Sequence, residues 1–521
     1  AGDLFEERKA KSHRIEIDPD QVQVRRCRDF GGVWLGWQLV QRLGLDAFVN
    51  GTMERGREEV PWPLMVWVLV LSRLCDASSE LYIAEHLYAR SAMPDLLGVG
   101  EEKINDDRLY RALDELLPQK AALEVFLKEK LGTLFDLKYD LLLYDVTSTY
   151  FEGQANGNDQ AKRGYSRDHR PDCKQVCIAL VVSRSGMPLG YEVFAGNTAD
   201  SKTVQQIVGT MEGRYGSADR IWVLDRGMVS EENLAFLRQK GRRYIVGTPR
   251  SQLKAFEKEL LAEDWREIRP GLEVKLCASA DHKEETFILC RSADRRQKEK
   301  AIHERFEKRL EEGLKQIAKA CETRRHVPVR IAGRVGRLLG QNTRSAALFD
   351  TEVQTMKDGA ARLVWSKKES QRRWSELSEG CYLLRSNIAD WSAEDLWKAY
   401  IQLTEAETAF RIEKSDLSIR PVWHQKSERV QAHILVCFLA YVLWKTLGQM
   451  SARAGLGDEP RRIFDELGRI RLVDVVMPTG DGRTYIRRCI TRPTDHQSIL
   501  LQKLHLSLPR QLKLTDCSED F

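Results

Sequence analysis

The chain has 521 residues and a formal net charge of +5, and 42% of its residues are hydrophobic and 31% charged. This length allows several domains, and this composition is ordinary for a globular protein in water. So small a net charge permits nucleic-acid binding but does not argue for it, because binding depends on local basic surface. Eleven cysteines without a CxxC pair indicate reduced thiols rather than a disulfide framework.

Two further patterns bear on location. The apolar runs 60–75 and 433–447 are broken by proline, arginine or lysine, and neither reaches the roughly 18 apolar residues of a membrane span. The N-terminal sequence AGDLFEERKAKSHR is charged and has no apolar signal core. We therefore expect a cytoplasmic protein that does not enter a membrane.

Residues 1–135 are predicted to be mostly helical. Apolar residues recur at helical spacing in VWLGWQLVQRLGLDAFV, PLMVWVLVLSRLC and DDRLYRALDELL. The tryptophans of these segments are interpreted as core residues rather than ligand-binding aromatics. A helix-turn-helix is compatible with the pattern, but no recognition helix stands out.

From Tyr139 the pattern changes to short apolar strands bounded by turn residues. Three strands are predicted in YDLLLYDVT, CKQVCIALVVS and MPLGYEVFA, followed by a helix in SKTVQQIVGTM, a strand in RIWVLDRG, a helix in SEENLAFLRQKG and a strand in RRYIVGTP. This order of elements indicates the first part of an RNase H-like α/β core within residues 136–250. A late helix of that core is then still to come.

A long insertion, residues 251–385, delays the late helix. It combines probable strands in EVKLCAS, ETFILCRS, ARLVWS and CYLLRS with one highly charged amphipathic helix near 293–322. The charged face of that helix is either a solvated surface or a DNA contact. The sequence therefore predicts a β-rich insertion domain that contains a charged helix.

The late helix is predicted in WSAEDLWKAYIQLTEAETAFRIEK, within a second part of the core, residues 386–450. Ser392 followed by Asp395 is a capping-box-like start. A buried helix follows in the sequence after RPVWHQKSERV, and residues 451–521 form a C-terminal region.

Three carboxylates have positions that need an explanation. Asp145 and Asp225 each end a predicted apolar strand, where an ionised carboxylate is costly unless it is paired or binds a cation. Each of them taken alone could instead cap the turn after its strand. Because the combination is more specific than any member, we interpret them together with a third carboxylate on the late helix.

Glu407 is that third carboxylate. At about 100° per residue, one helix through 392–415 places Leu396, Tyr400, Leu403, Glu407, Phe410 and Lys414 on one face. Glu405 then lies on the opposite side and Glu413 near the edge. Lys414 is seven residues away, whereas a helical ion pair prefers four, so a shared metal site explains Glu407 better.

Two strand-borne aspartates and a helix-borne glutamate suit a pair of hard cations. Mg²⁺, or Mn²⁺ in its place, binds a few carboxylates together with water and substrate phosphate. A pair of such ions activates the attacking oxygen and stabilises the leaving oxygen in displacement at phosphorus. We therefore predict Asp145, Asp225 and Glu407 as catalytic metal ligands for two Mg²⁺ or Mn²⁺ ions.

At these residues the chain resembles the IS4-related transposases of bacterial insertion sequences, in particular the IS1634-like group. The matching segments are YDVTSTYFEG, GYEVFAGNTADSKT, VLDRGMVSEENL and EAETAFRIEKSDLSIRPVWHQKSERVQAHILVCFLA. The resemblance is strong over 140–250 and 390–450. It implies a DDE transposase that cuts transposon-end DNA and joins it to target DNA, probable DNA-end binding by 1–135, and DNA or dimer contacts by 451–521. It also implies a homodimeric synaptic complex at the bacterial nucleoid.

These transposases carry a Tyr-x2-Arg-x3-Glu-x6-Lys signature. Tyr400, Glu407 and Lys414 match it, but Leu403 stands at the arginine position. The resemblance implies that Lys414 holds a DNA-end phosphate and that Tyr400 helps to position it. Arg411 is the nearest substitute for the missing arginine.

Further DNA contacts are expected from basic and aromatic residues. A basic loop beside Asp145 would suit phosphate contacts, although it could also be only solvated. The family often stacks an insertion-domain tryptophan on a flipped base, although both candidates here could be core residues, and a histidine beyond the late helix could be a loop residue. The candidates are Lys162, Arg163, Arg167, Arg170, Lys174, Arg226, His424, Arg429, Trp365 and Trp374.

Two other functions remain open at this point. One is a two-metal nuclease on the same fold that cleaves without strand transfer. The other is an inactive relative that only binds DNA. A hairpin intermediate on the transposon end is compatible with the family, but no residue demands it.

Overall fold

A computed structural model describes residues 17–216, 219–279, 284–479 and 483–509. It is a mixed α/β protein with one large mixed sheet, a small sheet of three strands and a hairpin of two strands. The charged N-terminal sequence discussed above lies outside the described residues, as does the end of the predicted C-terminal region. The assignment of the chain to five domains stays a prediction.

The N-terminal part is helical apart from strand β1 (Gln23–Asp29). Its helices are α1 (Gly31–Leu43), α2 (Leu45–Thr52), α3 (Trp62–Cys75), α4 (Glu80–Tyr82), α5 (Tyr88–Arg90), α6 (Met93–Leu97), α7 (Asp106–Leu116) and α8 (Lys120–Phe135). Helix α7 begins where the Asn105 side chain accepts a hydrogen bond from Arg108 N. Trp34 and Trp67 are buried, so these two tryptophans are core residues as predicted.

The large sheet has nine strands and runs through the middle of the protein. They are β2 (Leu141–Tyr150), β3 (Gln175–Ser183), β4 (Pro188–Ala195), β5 (Ile221–Leu224), β6 (Arg243–Gly247), β7 (Arg266–Arg269), β8 (Leu272–Ala278), β9 (Thr286–Ser292) and β12 (Cys381–Ser386). Their spatial order is β4-β3-β2-β5-β6-β12-β9-β8-β7. Strands β2, β5 and β6 are parallel, and every other neighbouring pair is antiparallel.

Both faces of this sheet are covered, which explains why its central strands are apolar on both sides. On one face Leu142 and Tyr144 pack with residues of α9 (Val204–Tyr215) and α10 (Glu231–Arg238). On the other face Leu141 and Leu143 belong to the main core. Side chains alternate along a strand, so Asp145 shares the face of Leu141 and Leu143.

The inserted region both extends the sheet and adds helices beside it. Its remaining elements are α11 (Glu257–Leu261), α12 (Ala293–Thr323), α13 (Pro328–Gln341), α14 (Thr343–Ala346), β10 (Phe349–Thr355), β11 (Ala361–Lys367) and α15 (Glu369–Ser378). Helix α12 is the predicted charged helix, and Leu310, Leu314 and Ile317 of its apolar stripe are buried. The predicted strands exist, but β7, β8, β9 and β12 continue the large sheet instead of forming a separate one.

The chain ends in helices and strands that pack back on the N-terminal part. These elements are α16 (Ala393–Ile401), α17 (Thr404–Ser415), α18 (Ser427–Arg453), α19 (Pro460–Leu467), β13 (Arg471–Pro478), β14 (Thr484–Ile490) and α20 (Asp495–Lys503). Strand β13 lies between β1 and β14 in the small sheet. Among the described residues α18 is long and apolar enough to cross a membrane, but 94% of its most apolar window is buried inside the protein. Such burial is that of a core helix.

Candidate active site

Asp145 lies in the middle of a strand. It is the fifth residue of β2, is half-buried, and its Oδ1 accepts a hydrogen bond from Val146 N at 2.8 Å. The prediction that Asp145 ends its strand is therefore wrong. The polar residues that follow it, Thr147 to Thr149, are buried and continue the strand, because neighbouring strand β3 pairs with β2 as far as Tyr150.

Asp225 follows the last residue of β5, as predicted. Strands β2 and β5 are parallel, with Tyr144 opposite Leu224. Asp145 and Asp225 directly follow this pair of residues on their strands, so they lie side by side. The Tyr400 hydroxyl donates a hydrogen bond to Asp225 Oδ1 at 3.4 Å.

The predicted late helix is two helices, α16 and α17, separated by a turn at residues 402–403. The Ser392 cap is present, since its side chain accepts from Asp395 N. The turn changes the helical register, so one face does not run from Leu396 to Lys414. In α17 the buried residues are Ala406, Ala409, Phe410 and Glu413.

This register corrects the predicted surroundings of two glutamates. Glu407 is exposed rather than centred in an apolar stripe, and Glu413 is buried rather than near the edge. Burial raises the pKa of Glu413 to about 8, while the charge of Lys414 opposes the shift. Glu413 thus faces the core, and Glu407 faces the solvent-accessible side of the helix.

The three predicted metal ligands nevertheless act on one another electrostatically. Burial, together with the negative charges of Asp225 and Glu407, raises the pKa of Asp145 to about 7, while the Val146 N–H opposes the shift. Burial and the charge of Asp225 also raise the pKa of Glu407. The negative charge of Asp225 thus disfavours ionisation of both Asp145 and Glu407, and such repulsion favours binding of cations.

A cavity of about 390 Å³ opens beside these residues. Its lining includes Asp225, Glu407, Tyr400, Arg226, Arg250 and Arg295. An adjoining cavity of about 810 Å³ shares Arg226, Arg250 and Arg295 and is lined further by Lys298, Arg344 and Trp374. A basic surface therefore leads from the carboxylates along the first turns of α12.

Arg250 and Arg295 were not predicted as site residues. Arg250 follows β6, the strand next to Asp225, and its NH1 lies 3.0 Å from Glu299 Oε2. Arg295 is in the first turn of α12 and lies over the Tyr382 ring at 4.9 Å from its centroid. Arg250 could have been found from the sequence, because it follows the strand predicted after the one that carries Asp225. Nothing in the sequence indicated that α12 would start beside it.

The two predicted tryptophans lie in different places. Trp374, on α15, lines the cavity that adjoins the carboxylates. Trp365, on β11, packs against Phe349 and lines a separate cavity with residues of α12. The position of Trp374 is therefore compatible with its predicted contact to a base, whereas Trp365 is a half-buried residue of the small core around α12.

Much of the basic loop between β2 and β3 is paired within the protein. Arg167 pairs with Asp200; Arg170 pairs with Asp172 and Glu152. Lys174 Nζ donates to the Gln154 carbonyl at 2.6 Å. Two residues, Lys162 and Arg163, are exposed.

Lys414 and Arg411 point in different directions from α17. The Lys414 side chain is 13% exposed, and its Nζ lies 2.8 Å from Asp168 Oδ1. Arg411 is exposed and lines a cavity that includes Asp416, Arg461 and Trp444, but none of the three predicted metal ligands. Arg411 is therefore not placed where it could replace the arginine expected at Leu403.

His424 is buried rather than facing solvent. Its Nε2 lies 3.3 Å from Glu80 Oε1, and its ring packs against those of Tyr110 and His433. The predicted DNA contact of His424 is not supported by this position, and the alternative of a loop histidine with satisfied partners describes it better. Arg429 is also engaged, since its Nε and NH2 donate to the two oxygens of Asp114, each at 3.0 Å.

Glu80, His424 and His433 form the one described group of possible ligands whose atoms all lie within 4.8 Å of one another. However, Arg73 NH2 donates to His433 Nδ1 at 3.5 Å, and His433 Nε2 contacts the Ile419 carbonyl at 3.2 Å. Both ring nitrogens are thus used. Burial and the charge of Arg73 lower the pKa of His433 well below its usual value. This group is a buried hydrogen-bond network, not a site for a cation.

Comparison with known proteins decides the family. Residues 136–443, more than half of the chain, match the family described as Transposase DDE domain. The chain belongs to this family of DDE transposases. No curated protein matches the sequence of this transposase. A solved structure described as a piggyBac transposase synaptic complex with hairpin DNA is 10% identical to this chain and has a TM-score of 0.38. The aligned part covers 86% of this chain and 82% of the chain in that structure. This similarity is too low to support an inference about the present chain.

Proposed function

We propose that this DDE transposase is an IS4-related enzyme of the IS1634-like group. In this proposal it cleaves transposon ends and joins the freed 3′-hydroxyl to target DNA. The observation that carries the proposal is the position of Asp145 beside Asp225 on parallel strands, with Asp225 and Glu407 lining one cavity together with three arginines. The order of strands β4-β3-β2-β5-β6, with the last three parallel, supports an RNase H-like core.

The carboxylates fit divalent cations. Asp145 has a pKa raised to about 7 by burial and by the other two carboxylates, so a bound cation would relieve their repulsion. Asp145, Asp225 and Glu407 would hold two Mg²⁺ or Mn²⁺ ions. Such ions would supply an activated attacking oxygen and stabilisation of the leaving oxygen.

The remaining residues of the site have roles that follow from their positions. Tyr400 orients Asp225 through its hydroxyl. Arg226, Arg250 and Arg295 line the cavity and would contact phosphates of the DNA backbone. Trp374, farther along the same basic surface, would stack on an unpaired base.

The proposal also includes partners and location. Two transposon ends must be joined in one reaction, so we expect a homodimer that holds both ends in a synaptic complex. The N-terminal helices and the C-terminal region would bind DNA or the second subunit. The expected location is the bacterial cytoplasm, at the nucleoid.

Incubation with Mg²⁺, a labelled DNA that contains the sequence flanking the coding region, and a target plasmid tests this function. We expect cleavage at the transposon end and a covalent product that joins the label to the plasmid. Cleavage without any joined product would indicate a nuclease. No cleavage and no difference between the unchanged protein and the Asp145→Asn variant would indicate a protein that only binds DNA.

A further inference from the structure

Asp168 is an acidic residue in the middle of the basic loop, and its side chain is only 2% exposed. Its Oδ1 accepts a hydrogen bond from Lys414 Nζ at 2.8 Å and a second one from Arg420 NH1. One carboxylate thus meets two cations. Its other oxygen, Oδ2, is buried and has no hydrogen-bond partner among the described residues.

The two cations lie at the end of α17 and in the loop that follows it. Lys414 is in the last turn of α17, and Arg420 is in the loop that follows. Arg73 of α3 donates to the Ser418 carbonyl at 3.0 Å and holds that loop against the helical part. Asp168, by contrast, belongs to a connection between β2 and β3 that contains mostly turns and irregular segments.

Two other cations, Arg420 and Arg167, act on Lys414, and Arg167 is itself paired with Asp200. Burial lowers the pKa of Lys414, and the charges of Arg420 and Arg167 add to this effect, whereas the hydrogen bond that Lys414 donates to Asp168 opposes it. Arg167 acts electrostatically on both Lys414 and Asp145, so the two groups share a charged neighbour. A further negatively charged oxygen, besides Asp168 Oδ1, would be stabilised beside Lys414 and Arg420.

We propose that Asp168 is an internal competitor of DNA: in the DNA-free protein it holds Lys414 and Arg420, and a backbone phosphate replaces it on both cations when DNA binds. A carboxylate and a phosphodiester each carry one negative charge and two acceptor oxygens, so they compete for the same donors. Arg420 then supplies the positive charge that is missing at Leu403. The inference rests on the proposed function, because it assumes that the substrate is DNA.

Displacement of Asp168 has two consequences. DNA binding loses the free energy of the internal ion pair, so the DNA-free protein binds less tightly than its cations alone would allow. The loop that carries Asp168 is also released from α17 when DNA arrives. Asp168 is therefore an internal competitor of the substrate.

Affinity for a short fluorescent duplex of arbitrary sequence, measured by anisotropy in EDTA at several salt concentrations, tests the proposal. Phosphate contacts do not depend on sequence, so this probe is sufficient. We expect Asp168→Asn to bind about tenfold more tightly, as expected when a competing conformation is removed. Asp159→Asn removes one negative charge from an exposed position of the same loop; it should bind as the unchanged protein does and controls for the change in net charge.

Arg420→Gln and Arg411→Gln are a matched pair of charge removals. We expect Arg420→Gln to weaken binding and to reduce the slope of log K against log salt by about 0.9, the value for one lost phosphate contact. Arg411→Gln should change neither quantity. In the double variant, Arg420→Gln should abolish the gain in DNA affinity that Asp168→Asn gives alone.

Equal or weaker binding by Asp168→Asn, or equal effects of Arg420→Gln and Arg411→Gln, would overturn the inference. If Asp168→Asn does not fold, as judged by its thermal melting, the arginine pair still decides. The proposed function fails separately, when the unchanged protein neither cleaves transposon-end DNA nor joins it to the target plasmid in Mg²⁺. If the duplex binds to neither the unchanged protein nor Asp168→Asn, the inference is wrong.

Discussion

Glu413 makes the stability of this transposase depend on pH. Its side chain is buried in the face of α17 that packs on the core, where it acts electrostatically on Cys437 and Tyr441 of α18. Burial raises its pKa from 4.5 to about 8. Between these two values the folded protein therefore holds a proton that the unfolded chain has released.

The sign of the effect follows from this difference. Stability falls with rising pH wherever the folded state binds more protons than the unfolded state. The contribution of Glu413 is thus most favourable below about pH 4.5 and is progressively lost up to about pH 8. From pH 5 to pH 8 the loss is on the order of 3 kcal/mol.

Urea unfolding at several pH values between 5 and 8, without metal ions, measures this loss. The Glu413→Gln variant keeps the shape of the side chain but cannot ionise. We expect its free energy of unfolding to rise relative to that of the unchanged protein by about 3 kcal/mol over this range. Other groups titrate equally in both proteins and cancel in the difference.

Glu304→Gln, on the exposed face of α12, is the control, and its difference from the unchanged protein should not vary with pH. If the curves of Glu413→Gln and the unchanged protein run parallel from pH 5 to pH 8, then Glu413 is not a buried neutral acid. The orientation of α17, with Glu413 toward the core and Glu407 toward the cavity, would then be wrong.

Three further substitutions test the structure around the site. Arg73→Met should cost about 2 kcal/mol of stability and speed hydrogen exchange near Ser418, because the carbonyl there loses its donor; unchanged exchange would contradict this. Glu285→Ala should cost about 3–5 kcal/mol in urea unfolding, since the buried Arg385 loses its buried carboxylate partner and keeps only the exposed Glu231; a loss below about 1 kcal/mol would show that the pair is unimportant. Leu403→Arg should lower the melting temperature without tighter DNA binding, because Leu403 is 6% exposed; tighter binding at an unchanged melting temperature would show that the site accepts an arginine there.

Much of the fold could be predicted because its signals are local. The short apolar strands around Asp145 and Asp225, the Ser392 cap and the stripe of α12 depend on neighbouring residues, and the structure contains all of them. The position of the inserted strands could not be predicted. These strands join the large sheet because β12 pairs with β6, and the two paired segments are more than a hundred residues apart in the sequence. Alternation of side chains along a strand carries no information about which strand will be its partner.

The errors in the site have physical reasons. The turn at Leu403 breaks an otherwise regular helical pattern, and without a proline or glycine the sequence gives no warning of it. The register of α17 then changes, so Glu413 rather than Glu407 is buried. Arg420 was not singled out because its pairing with Lys414 depends on Asp168, which is more than two hundred residues earlier in the chain.

The central claim is that Asp145, Asp225 and Glu407 act together as one catalytic site. The most direct measurement is Mg²⁺-dependent cleavage of a plasmid that carries the coding region with its flanking DNA. Asp145→Asn, Asp225→Asn and Glu407→Gln should each abolish cleavage while the protein remains folded. Glu405→Gln, on the same helix but lining a different cavity, should cleave as the unchanged protein does. Cleavage by any of the first three variants at the rate of the unchanged protein would contradict the claim.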